Sequence, residues 1–113
     1  MEKTYTIRQE QLARFAKALA HPARIAIMQF LMAREECFFG AIDEFLPIQK
    51  STVSQHLKEL MDSGLIQGNV TQPRIKYCVN RDNALLASEL FAGLFANCKF
   101  YEPKKGSCCC QDD

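Results

Sequence analysis

The chain has 113 residues, enough for one domain with a modest core, which excludes a separate catalytic domain. Hydrophobic residues make up 48% and charged residues 24%, the balance of an ordinary globular protein, so disorder is expected only at the ends. A formal net charge of +1 says nothing about nucleic acid on its own, since a DNA binder needs a local basic surface more than a basic average.

Thr6 and Gln9 have capping-box spacing, and Leu12, Phe15, Ala16 and Leu19 recur at helical intervals, so a first helix is predicted to run to about Ala20. His21-Pro22 ends it. Pro22 suits the first turn of a second helix, whose apolar side carries Ile25, Met28, Phe30, Leu31 and Met32 and which should stop near Arg34 to Glu36. After Cys37, the segment Phe39 to Leu46 reads as one short helix with Ile42, Phe45 and Leu46 inward, closed by Pro47.

From Lys50 to Ser63 the apolar positions Val53, Leu57, Leu60 and Met61 fall at i, i+4, i+7 and i+8, and Gly64 supplies the left-handed residue that ends many helices. Leu65 to Val70 and Arg74 to Val79 are predicted strands, with Ile75, Tyr77 and Val79 alternating against Arg74, Lys76 and Cys78. A last helix from near Asp82 aligns Leu86, Leu90, Leu94 and Cys98 in one row, with Phe91 and Phe95 beside it. That is more apolar surface than a small monomer covers. Residues 102–113 carry no core pattern and are expected to form a flexible, cysteine-rich tail behind a domain of residues 1–101.

Two short helices around Pro47-Ile48-Gln49, followed by a hairpin, make a winged helix-turn-helix, a mainly α fold with a β wing. Gln49, Lys50, Ser51, Thr52, Ser54, Gln55 and His56 crowd the start of its second helix and can bond bases and phosphates; Gln55 can read adenine. Arg74 and Lys76, two apart on a strand, point to one face and can reach the DNA backbone or minor groove from the wing. Taken alone, the plainer reading of a solvated helix face is the better one.

The segments Leu19-Ala20-His21-Pro22-Ala23-Arg24, Ser51-Thr52-Val53-Ser54-Gln55-His56-Leu57-Lys58-Glu59-Leu60 and Gly64-Leu65-Ile66 change that balance, because together they resemble the ArsR/SmtB family of metal-responsive repressors. The resemblance implies a winged-helix homodimer, joined through its first and last helices, that leaves operator DNA when a metal or metalloid binds. It places Ser51, Thr52, Ser54, Gln55 and His56 on the recognition helix. Gln49 departs from the serine N-cap frequent in the family, and glutamine caps poorly. Arg24 matches a family arginine expected to hold helices together, and His21 is expected to cap or pack, not to ligate.

No apolar run approaches the roughly 18 residues of a membrane span, and Met1-Glu2-Lys3-Thr4 lacks the layout of a signal peptide, so the expected location is the cytoplasm. Reducing conditions there should keep the six cysteines as thiols for soft metals or oxidants. Trivalent arsenic and antimony bind two or three thiolates, and zinc, cadmium and copper(I) also accept sulfur. Cys108, Cys109 and Cys110 form a strained complete site on their own, so a further thiol is expected.

Cys37, in Cys37-Phe38-Phe39-Gly40, resembles a cysteine-containing segment of arsenic-responsive members that also end in paired cysteines, and is the expected partner of the tail. The family's two-cysteine site within the third helix is absent, and the last helix offers Asp82 and Glu89 without a histidine for zinc. Cys98, which continues the Leu86-Leu90-Leu94 row, is expected to be buried in the dimer contact, and Cys78 is read as a structural side chain on its strand. DNA binding itself calls for no cofactor. The expected inducer is trivalent arsenic or antimony, with zinc, cadmium or an oxidant as alternatives.

An enzyme such as a small arsenate reductase or phosphatase would set an arginine six residues after its cysteine. Cys37, Cys78 and Cys98 are followed at that distance by Asp43, Ala84 and Lys104, and Gly64 to Gly68 lacks a P-loop lysine. No enzyme is therefore expected. A metal carrier would need neither recognition helix nor wing.

Overall fold

In a computed structural model of the chain, the described residues are 4–34, 36–69, 76–96 and 98. The Thr6 hydroxyl accepts from the Gln9 amide at 3.0 Å and Gln9 Oε1 accepts from the Thr6 amide at 2.9 Å, the reciprocal capping box that the spacing predicts. Helix α1, Ile7–Ala18, follows and buries Phe15 and Ala18. The chain then turns at His21, whose Nδ1 accepts from the Ala23 amide at 3.0 Å. Pro22 begins α2, Pro22–Met32, where its missing N–H has no intrahelical partner to lose.

The short helix expected from Phe39 to Leu46 does not form. Phe38–Phe39 make strand β1, Gly40 adopts φ +125°, and only Ile42–Glu44 complete a single 3₁₀ turn. The physical reason is that Gly40 takes a backbone conformation closed to residues with a Cβ, while Phe38 pairs with Tyr77 in an antiparallel ladder. Phe38 is 4% exposed and meets Phe30 and Phe45 edge to face, with ring centroids 5.1 and 5.5 Å away. Strand pairing thus buries Phe38, and Ile42 points inward as expected, but Phe39 and Phe45 stay 52% and 59% exposed, so the inward placing expected of Phe45 is corrected: the single turn ends before it.

Helix α3, Lys50–Ser63, is closed by Gly64 at φ +88°, and a Cβ there would lie 2.8 Å from Asn83 Nδ2, which instead donates to the Gly64 carbonyl at 2.8 Å. Strands β2, Ile66–Asn69, and β3, Lys76–Val79, complete an antiparallel sheet in the order β1-β3-β2. Asn80 caps α4, Arg81–Leu94, by accepting from the Asn83 amide at 3.1 Å. Ile27, Ile42, Leu60, Leu65 and Ile66 are fully buried where α2, α3 and the sheet meet, and α1 lies against both α3 and α4. This is the winged helix-turn-helix that the sequence predicts. No described helix is long and apolar enough to cross a membrane.

Candidate nucleic-acid interface and thiol pair

Helix α3 is locked by one edge and open along the other. Val53, Leu57 and Leu60 are buried, while Lys50, Ser51, Thr52, Ser54 and Gln55 are exposed. Gln49 makes no side-chain cap, as expected of glutamine, and its carbonyl accepts from both the amide and the hydroxyl of Thr52 at 3.0 Å. The first-turn amides therefore have no side-chain partner from the N-cap and lie at the positive end of the helix, a favourable place for a phosphate oxygen.

His56 does not belong to the open edge. It is 8% exposed, its Nδ1 accepts from Arg24 Nε at 3.1 Å, and its ring lies 4.5 Å from that of His21. Its assignment as a DNA-contacting residue is corrected accordingly, because position 56 follows Val53 by three residues and shares its inward face. Burial, then the charges of His21 and Arg24, hold the His56 imidazole below its ordinary pKa.

Arg24 also directs Nη1 to the carbonyls of Lys17 and Ala18 at 3.4 and 3.5 Å, so one guanidinium joins the end of α1, the start of α2 and the middle of α3. This is the helix-holding role expected of it. Arg14 Nη2 adds a second tie from α1, donating to the Asp62 carbonyl. Lys58 and Asp62 pair at 3.5 Å on the exposed face of α3.

Lys76 is exposed at the start of β3, its ammonium 5.7 Å from the centroid of the Phe39 ring. Arg74, its expected companion on the wing, lies outside the described residues, as do Cys108, Cys109 and Cys110. The expected joining of Cys37 to those tail cysteines therefore lies outside the described residues too.

What the structure does bring to Cys37 is Cys78. The two are disulfide-bonded with Cα atoms 4.4 Å apart, which corrects the expectation that all the cysteines are free thiols and that Cys78 merely packs. The pairing continues the ladder by one step, since Phe38 opposes Tyr77 and Cys37 then faces Cys78. Both residues are partly exposed. With Leu31, Glu36, Tyr77, Val79 and Arg81 they line a cavity of about 170 Å³. In the single chain Cys98 is exposed and unbonded, just past the end of α4 where the dimer contact is expected to cover it. The same end of α4 exposes Leu94 at 58% and Phe95 at 60%.

Residues 19–68 match a helix-turn-helix domain family. The HTH-type transcriptional regulator YgaV of Escherichia coli (strain K12) is 32% identical over 81 residues, spanning 70% of this chain and 82% of that protein. An arsenical resistance operon repressor of Bacillus subtilis (strain 168) is 33% identical over 95 residues, or 82% of this chain and 85% of that protein. Among solved structures, the fold is shared with the homodimeric winged helix-turn-helix DNA-binding domain of a possible ArsR-family transcriptional regulator from Mycobacterium bovis. The match has a TM-score of 0.56 at 21% identity and covers 92% of this chain and 99% of that one.

Proposed function

The chain belongs to the ArsR/SmtB family of transcriptional regulators, DNA-binding proteins and not enzymes, and from that membership we propose a homodimeric repressor released from its operator by trivalent arsenic or antimony. The observation that most supports the DNA-binding part is the divided surface of α3. Buried Val53, His56, Leu57 and Leu60 fix the helix, leaving Lys50, Ser51, Thr52, Ser54 and Gln55 free for major-groove edges and phosphates. In this reading Gln49 flanks that edge and Lys76, with Arg74, serves the backbone from the wing.

The exposed Leu94 and Phe95 at the end of α4, with Tyr5 just before α1 and Ile7 at its start, both 74% exposed, support a twofold contact through the first and last helices. The homodimeric state of the Mycobacterium bovis domain supports it as well. Two recognition helices would then read half-sites about 34 Å apart. Soft-ligand supply and the arsenical-resistance name of the Bacillus relative support the inducer. Cys37 is assigned to the capturing site, with Cys108, Cys109 and Cys110 as further thiolate donors.

The Cys37–Cys78 bond favours one second reading, a repressor that responds to oxidants through the same thiols. Operator release by arsenite, antimonite, cadmium, zinc and peroxide, each added to pre-reduced protein, separates the readings. Release by arsenite and antimonite supports the first; release by peroxide alone supports the second.

A further inference from the structure

We propose that the reduced Cys37–Cys78 pair is a two-thiolate site for a trivalent arsenical that carries one organic substituent. This rests on the reading above of a thiol-captured inducer and adds a second mode of capture at Cys37, one that needs two thiolates and no donor from the tail. Sheet register holds the two Cα atoms 4.4 Å apart, so the sulfurs remain neighbours after reduction. Bonds from sulfur to a soft centre run about 2.3 Å, so sulfurs roughly 3–4 Å apart share one atom between them. A small rotation about the Cα–Cβ bonds opens the pair that far.

The number of donors selects the ligand. Structural zinc asks for four ligands, and among the described residues no three His, Cys, Asp or Glu side chains gather to hold a metal ion. An arsenical with one carbon substituent has only two exchangeable oxygens, and two thiolates complete its coordination. Its substituent needs a partly apolar lodging, which the adjoining cavity supplies from Leu31, Tyr77 and Val79.

The chemistry balances in two steps. A cellular low-molecular-weight thiol reduces the bond, two molecules of it becoming one disulfide while Cys37 and Cys78 each gain a proton and an electron. The dihydroxy arsenical then exchanges both hydroxyls for the two sulfurs, and the thiol protons leave in two waters, with no change in the oxidation state of arsenic. Cys78 shares a strand face with Lys76, and Cys37 begins the segment that leads into α3. An arsenic atom between them therefore links the wing to the approach to the recognition helix.

The test uses the full chain with Cys108→Ser, Cys109→Ser and Cys110→Ser, reduced and desalted, titrated with phenylarsine oxide and read by free-thiol count and intact mass. One phenylarsenic group per chain and the loss of two thiols, mapped to Cys37 and Cys78, is the expected result. Adding Cys78→Ser, or Cys78→Ala as a second variant checked for fold by circular dichroism, should weaken binding about 100-fold, because the second bond is no longer intramolecular. Retention of all free thiols, or equally tight binding without Cys78, overturns the proposal. Operator release is measured in parallel on the unsubstituted chain. Binding at the pair without release by any arsenical would sustain the site and refute the inducer reading; release with the thiols of Cys37 and Cys78 still free would do the reverse.

Discussion

Arg24 Nε donates to Nδ1 of His56 at 3.1 Å, and this one bond fastens the start of α2 to the buried side of the recognition helix. Arg24→Ala would leave that nitrogen and the Ala18 carbonyl without this donor, and would leave the Lys17 carbonyl with the Ala20 amide at 3.2 Å. A loss of about 1–3 kcal/mol in unfolding free energy is expected by denaturant titration. Operator affinity should fall with it, while the ranking of operator variants stays unchanged, since Arg24 positions α3 and touches no base. An altered ranking would contradict this assignment.

The same contact carries a pH dependence. Burial chiefly, and then the charges of His21 and Arg24, lower the His56 pKa in the folded state, so the unfolded chain binds the proton more readily. The stabilisation is fully present above the ordinary histidine value of about 6.5 and is lost as pH falls through it toward the depressed folded value. Thermal midpoints should therefore drop below about pH 6.5. His56→Asn, which keeps an acceptor near the Nδ1 position, should flatten that slope; a slope identical to the parent's would assign the titration elsewhere.

Gln55 and Lys76 are expected to separate reading from holding. Gln55→Ala should reduce discrimination among operator variants by about 1–3 kcal/mol, whereas Lys76→Ala should weaken all DNA alike and lower the salt slope by about one. Competition binding at several salt concentrations checks both. Equal loss on specific and non-specific DNA in both variants would mean that α3 does not enter the groove as described.

Leu94, 58% exposed on α4, tests assembly. A charge buried without a partner at a twofold contact is costly, so Leu94→Asp should shift the chain from dimer to monomer in sedimentation at micromolar concentration and weaken operator binding with it. An unchanged sedimentation coefficient would place the dimer contact elsewhere.

Features set by neighbours in sequence are legible from the residues alone. The Thr6–Gln9 box, Pro22 at a helix start, the weak cap at Gln49 and the left-handed Gly64 each depend on a few adjacent residues. Features set across the chain are not. Phe39 to Leu46 has helical spacing, yet Gly40 and the pairing of Phe38 with Tyr77 override it. His56 was within reach, for Val53, His56, Leu57 and Leu60 fall at i, i+3, i+4 and i+7, although its polarity drew it to the outer face. The Cys37–Cys78 pair, 41 positions apart, depends on a sheet register that no local pattern reports.

Capture of arsenic by thiols and departure from DNA meet in one measurement: fluorescence anisotropy of labelled operator bound by the reduced chain, titrated with arsenite. Release that saturates, and that is absent in a variant with all six cysteines replaced by serine yet still bound to operator, is the expected result. Operator that stays bound at saturating arsenite and antimonite, or release that persists without the cysteines, would contradict an arsenic-responsive repressor.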